Sequence, residues 1–165
     1  MRYLSLILLV FCISAAAQVT STITVGGAIT KPYTLKFDDL KAMKAISLDS
    51  LPIYNHKMEP KNALKKLKGV LLKDVLDKAE FSVKSPKTLS EFYIVCIADD
   101  GYKVVYSWNE LFNSETGNRT LVITEIDGSS VMNQKEGIRL VTPTDKATGR
   151  RYVKNLSKIR IEKVK

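Results

Sequence analysis

The sequence predicts an α+β fold: a β-rich single domain with short helices. Three observations carry this. Most apolar residues fall in short blocks, alternating at 33–37 or continuous at 93–97, as strands with one or both faces covered do. Turn chemistry separates the blocks, at Gly26-Gly27, Lys31-Pro32, Asp99-Asp100-Gly101 and Asp127-Gly128. Helical spacing is confined to brief stretches, and no repeat, low-complexity segment or linker divides the chain.

Taken in order, residues 21–29 read as an opening strand, with Ile23, Val25 and Ile29 as its apolar positions and a bend at the two glycines. Tyr33, Leu35 and Phe37 alternate as a second strand. Asp38 is placed to cap a short helix carrying Leu40 and Met43 on one face. Ile46, Leu48 and Leu51 indicate another strand, and 52–60, bounded by prolines, reads as loop. Residues 63–68 fit strand or helix. Leu72, Val75, Leu76 and Ala79 recur at helical spacing, with Lys73 and Asp74 facing out. Residues 82–90 form a polar connector. Residues 93–97 and 102–106 pair as a hairpin about the Asp99-Asp100-Gly101 turn. Ser107 with Glu110 is a capping box that opens a helical turn through Leu111 and Phe112. Residues 121–126 are a strand that ends in a turn at Asp127-Gly128.

The chain has 165 residues. Arg2, the apolar run 4–13 and Ala15-Ala16-Ala17 have the order of a secretory signal peptide, so residues 1–17 are read as that signal and 18–165 as the folded domain. The apolar run is shorter than the roughly 20 residues a membrane-spanning helix needs, so no stable span is expected after cleavage. The expected location is periplasmic or extracellular. Cleavage also removes Cys12 and leaves Cys96 alone, which excludes an internal disulfide; its apolar surroundings point to a buried thiol. The formal charge of +9 is high for an exported protein. It points away from nucleic acid, given the location, and toward a small anionic ligand, a polyanion or an acidic surface.

The residue inventory excludes several chemistries. One histidine, His56, cannot make a multi-histidine metal site. No nucleophile elbow, Walker loop or complete dinucleotide fingerprint is present. Asp99 and Asp100 read as an acid–base pair or as plain turn residues. Asn118-Arg119-Thr120 and Asn155-Leu156-Ser157 match the glycosylation pattern. The strongest feature lies late in the chain, where 136–161 reads as strand, basic loop, strand. Ile138, Leu140 and Val141 run up to Pro143, and Leu156, Ile159 and Ile161 anchor the return. Lys146, Arg150, Arg151 and Lys154 crowd the loop, either as an anion site, because guanidinium forks match paired oxygens, or as a solvated hairpin end.

Four stretches in order resemble the sulfite-oxidase-like molybdopterin-binding domain family. Residues 27–35 with Asp39-Leu40 resemble its G-x-V-x-x-P-x-x-L…D-L opening, and 68–76 its G-V-x-L-x-D-L-L segment. Ala98-Asp99-Asp100-Gly101-Tyr102 resembles its A-x-D-G-Y hairpin, and 137–161 its closing G-P-L-R-L-V-x-P…G-x-R-x-V-K-x-L-x-x-I. The resemblance implies a fold like the middle domain of sulfite oxidase and, in the family's enzymes, an oxidoreductase with a molybdenum–pterin cofactor. It also implies that Arg139, Arg150, Arg151 and Lys154 lie toward the pterin phosphate, and Lys146, His56 and Tyr102 are taken as further cofactor-binding candidates around the same site. The family's enzymes hold molybdenum through a cysteine thiolate ahead of the G-V-x-L segment, and residues 45–68 contain no cysteine. The expectation is therefore an exported domain that binds molybdopterin, or another pterin-like or anionic ligand, without molybdenum redox catalysis, and no catalytic or metal-ligating residue is assigned. The alternatives are a molybdopterin-dependent oxidoreductase subunit whose metal is held by other residues, and a cell-envelope protein-interaction module on a degenerate fold.

Overall fold

Alternation of buried and exposed residues builds β1 (Thr22–Gly27), where Ile23 and Val25 point inward. β2 (Tyr33–Lys36) returns antiparallel to it. A computed structural model describes residues 19–165, and the expected signal peptide and Cys12 lie outside the described residues. Helix α1 (Phe37–Ala42) follows β2 directly. Its cap is Lys36 rather than Asp38, because Asp39, three residues on, accepts the Lys36 N–H at 2.7 Å.

β3 (Ile46–Tyr54) and β4 (Pro60–Leu71) form a long hairpin, so the loop expected over 52–60 shrinks to the turn between Tyr54 and Pro60. The chain stays extended through Pro52 because β3 is an edge strand, where a missing N–H costs no ladder bond. Asn55 closes the turn by accepting the N–H groups of Lys57 and Glu59. The ambiguity over 63–68 has a local cause. Lys66 takes φ +46, so Leu64 and Leu67, three apart, both face the core although the backbone is a strand.

Helix α2 (Leu72–Val75) is a single turn, yet Leu76 and Ala79 beyond it are also buried, so the helical spacing marks a core-facing segment longer than the helix. The polar connector ends in a 3-10 turn, Pro86–Glu91. β5 (Phe92–Ala98) and β6 (Lys103–Ser107) form the expected hairpin, and α3 (Trp108–Phe112) opens on the expected capping box: Ser107 Oγ accepts the Glu110 N–H and Glu110 accepts the Ser107 N–H. β7 (Leu121–Ile126) turns through Asp127 and Gly128, both at positive φ, into β8 (Ser129–Ser130). β9 (Arg139–Val141) and β10 (Leu156–Lys163) complete the set.

The first sheet runs β2-β1-β10-β5-β6, and the second runs β3-β4-β7-β8 with β9 also paired to β7. One apolar cluster lies across both, including Ile23, Ile94, Cys96 and Ile159 from the first and Leu67, Val70, Val122 and Leu140 from the second. Cys96 is buried as its surroundings indicate, and that burial pushes its thiol well above the usual cysteine range.

The late segment is strand, loop, strand, but its two strands lie in different sheets. β9 belongs to the second sheet and β10 to the first, between β1 and β5; the Leu140–Val153 bridge and the Asn155 and Leu156 N–H groups, donating to the Glu136 and Ile138 carbonyls, hold the two stretches together. Residues 142–155 therefore cross from one sheet to the other. On the way a 3-10 turn (Thr148–Arg151) clasps the edge of β3: Thr148 Oγ1 accepts the Tyr54 N–H at 3.0 Å and donates to the Pro52 carbonyl at 2.7 Å. Gly149 permits the approach, since a Cβ there would stand 2.7 Å from the Tyr54 carbonyl oxygen. Thr148→Val keeps the shape and removes both bonds. It is expected to cost about 2 kcal/mol, the penalty for stranded backbone polar groups, read as a lower urea midpoint at unchanged slope.

Candidate functional site

The crossing segment is held by its own cations. Arg151 donates from Nε to Asp145 Oδ2 at 2.8 Å and from Nη2 to Asp145 Oδ1, a two-point fork, while Nη1 donates to Glu110 Oε1 at 3.0 Å. Its guanidinium lies 4.4 Å from the centre of the Tyr106 ring. Tyr106 is fully buried, and its hydroxyl meets Thr142 Oγ1 at 2.6 Å. Glu110 serves two elements at once, capping α3 with one oxygen and holding Arg151 with the other. Burial pulls the Glu110 carboxyl up, but the Ser107 N–H and the Arg151 guanidinium outweigh it and hold it below the usual carboxylate range.

Arg139 is likewise committed. Its side chain is only 7% exposed. It donates to Gln134 and to the Tyr152 hydroxyl, with Nε 3.5 Å from Glu136. Lys154 binds the other oxygen of Glu136. Burial raises the Glu136 carboxyl, yet Lys154 and Arg139 together keep it below its ordinary value.

The remaining candidates are dispersed. Lys146 and Arg150 are exposed and make no ion pair among the described residues. Tyr102 donates its hydroxyl to the Arg150 carbonyl, which ties the β5–β6 hairpin to the crossing segment. His56 sits exposed in the β3–β4 turn, two residues beyond the clasped Tyr54. Of the seven residues taken from the sequence, the structure brings Arg139 and Lys154 together on Glu136, sets Arg150 beside Tyr102, and places Arg151 on a separate pair of acids.

A different cation faces an opening. A cleft of about 290 Å³ lies where the edge of β3 meets the entrance to β7, lined by Ile46, Ser47, Leu48, Asn118, Arg119, Leu121 and Pro143. Turns hold its polar wall: Arg119 N–H donates to the Thr116 carbonyl, Lys73 Nζ donates to Asn118 Oδ1 at 2.6 Å, and the Leu72 N–H binds the Thr120 carbonyl. Gly117 lets this loop fold back on α3, since a Cβ there would stand 1.7 Å from the Leu111 carbonyl oxygen. The Arg119 guanidinium makes no ion pair or side-chain hydrogen bond among the described residues. The cleft thus offers a guanidinium, a hydroxyl and a carboxamide beside aliphatic walls. In the sequence Asn118-Arg119-Thr120 is visible only as a glycosylation pattern, because nothing local shows that Pro143 and β3 close over it.

The donor set of the cleft does not fit molybdenum as the family's enzymes hold it. No thiol lines it, and Cys96 is sealed within the core on β5. No group of three or more histidine, cysteine or acidic residues is placed to hold a metal ion among the described residues.

No family model and no curated protein matches the chain. Among solved structures the fold is similar to that of the sulfane dehydrogenase SoxCD from Paracoccus pantotrophus, with a TM-score of 0.64 and 15% identity over 88% of this chain and 39% of that one. At that identity the likeness establishes the fold alone, and this chain spans about two fifths of the chain it matches. No described helix is long and apolar enough to cross a membrane.

Two outcomes follow from the ion pairs. Arg151→Gln strands Asp145 and is expected to destabilise the protein by about 3 kcal/mol, measured by urea unfolding. Glu110 and Glu136 are both held below their ordinary range, so their contribution is present above the unfolded glutamate value, about 4.3, and is lost as pH falls through the lower folded values. The urea midpoint should decline over that acid window, and Glu110→Gln should flatten the decline while lowering stability at neutral pH.

Proposed function

We propose that this chain is an exported binding domain on a sulfite-oxidase-like fold, which takes a flat anionic ligand of the pterin phosphate type without molybdenum redox catalysis. The observation that carries the reading is the Arg119 cleft. Its guanidinium has no acid partner among the described residues, and Ser47 supplies a hydroxyl beside it for phosphate oxygens. Ile46, Leu48, Leu121 and Pro143 give the apolar walls that a planar ring requires. β3, an edge strand, has no strand partner on its outer side among the described residues, so its backbone can read donor and acceptor atoms at a ring edge.

The cleft's volume is at the low end of small-molecule sites, which suits one ring system and its phosphate. The dehydrogenase activity named for SoxCD is not carried over, because the residues here lack the soft sulfur donor that the family's enzymes use. In this reading Arg139 and Arg151 are structural, and Lys146 and Arg150 contribute general attraction to anions.

Titration of the mature protein with a pterin monophosphate, followed by ligand fluorescence, tests the proposal. Saturable binding is expected, weakened about tenfold or more by Arg119→Ala, as for loss of a charged hydrogen bond, and little changed by Lys146→Ala or Arg150→Ala. Absence of binding at millimolar ligand, or equal binding by Arg119→Ala, overturns it.

A further inference from the structure

Strand β5 reads as buried on both faces, yet the fold seals one and leaves the other half-buried. Its inward residues, Phe92, Ile94, Cys96 and Ala98, are sealed in the core. Its outward residues, Tyr93, Val95 and Ile97, are also apolar, and they face away from the second sheet. An antiparallel strand with one solvent face ordinarily alternates apolar and polar residues, and a continuous apolar run belongs to strands covered on both sides.

The patch extends across the sheet. Val105 on β6 stands directly opposite Val95 and is 51% exposed. Cations rim it: Lys103 and Lys158 flank Ile97 on its two neighbouring strands, and Arg160 stands beside Val95. Lys103 and Lys158 form no ion pair among the described residues. The one acid on this part of the face, Glu162, is already engaged by Arg160 and by the Tyr93 hydroxyl.

We infer that the outer face of β10, β5 and β6 is a docking surface for an acidic partner protein, one presenting an apolar centre ringed by carboxylates. An apolar core with a charged rim is the ordinary anatomy of a protein interface, and the rim here is positive on balance, three cations to one acid. A second copy of this chain is disfavoured, because pairing would bring two positive faces together on a protein of net charge +9. The surface is separate from the Arg119 cleft, which lies on the second sheet, so the inference stands whether or not the cleft binds a pterin.

The test is site-specific photo-crosslinking in the producing cell, with p-benzoylphenylalanine in place of Val105 on the full chain and, as control, in place of the exposed Lys65 on β4. The expected result is an adduct at Val105 with one protein, mapped by mass spectrometry to a peptide bearing aspartate or glutamate. It should be absent at the control site and reduced about tenfold in yield by Lys103→Glu with Lys158→Glu, as loss of paired rim charges implies. Thermal melting of that variant checks its folding, and Lys103→Gln with Lys158→Gln serves as the milder version. The inference is overturned by no protein adduct at Val105, an adduct to a second copy or to residues 1–18, or an adduct whose yield survives charge reversal in the folded variant.

Discussion

One guanidinium pins the segment that crosses between the two sheets to the first of them. Arg151 lies on the segment that leaves β9 and enters β10, so it is placed where the chain changes sheets. Its fork on Asp145 fixes the segment's own curvature, its third contact reaches Glu110 on α3, and its flat face rests on Tyr106 of β6. Asp145 is six residues away, whereas Glu110 and Tyr106 come from the far hairpin. Local and long-range order therefore meet in one side chain. The Thr148 clasp and the Tyr102–Arg150 bond complete the attachment, to the second sheet and the first respectively.

The carboxylates beside Arg151 and Arg139 give those two side chains a structural role, while Lys146 and Arg150 of the same stretch stay exposed without an ion pair among the described residues. Arg119, beside the cleft at β3, is a further such cation. The one thiol among the described residues, Cys96, is on the other sheet, inside the core.

What the sequence made legible was local. The Ser107–Glu110 capping box, the Asp127-Gly128 turn and β7 depend on neighbours within a few residues, and each forms where the pattern places it. The β-rich architecture with short helices was legible for the same reason. The β3–β4 hairpin was obscured by Pro52, harmless only because its strand is an edge, and by Lys66, whose left-handed backbone mimics helical spacing in a strand. In the basic loop, charge sign is visible in sequence while pairing is not. Glu136 and Asp145 sit close by and could be seen, but that Glu110 arrives from α3 is a tertiary fact. Arg119 was hidden for the converse reason, since nothing near it in sequence shows that it stays unpaired.

The position of β10 has a consequence for how the chain matures. It is the last of the described strands, and it lies inside the first sheet, joining β1 in parallel and β5 antiparallel. Until it arrives, the β1–β2 and β5–β6 hairpins are two separate pieces with no shared hydrogen bonds. Neither hairpin can become part of a continuous first sheet before residues 156–163 are in place. Closure of that sheet is a long-range event, and β10 is the strand that commits the molecule to its finished form.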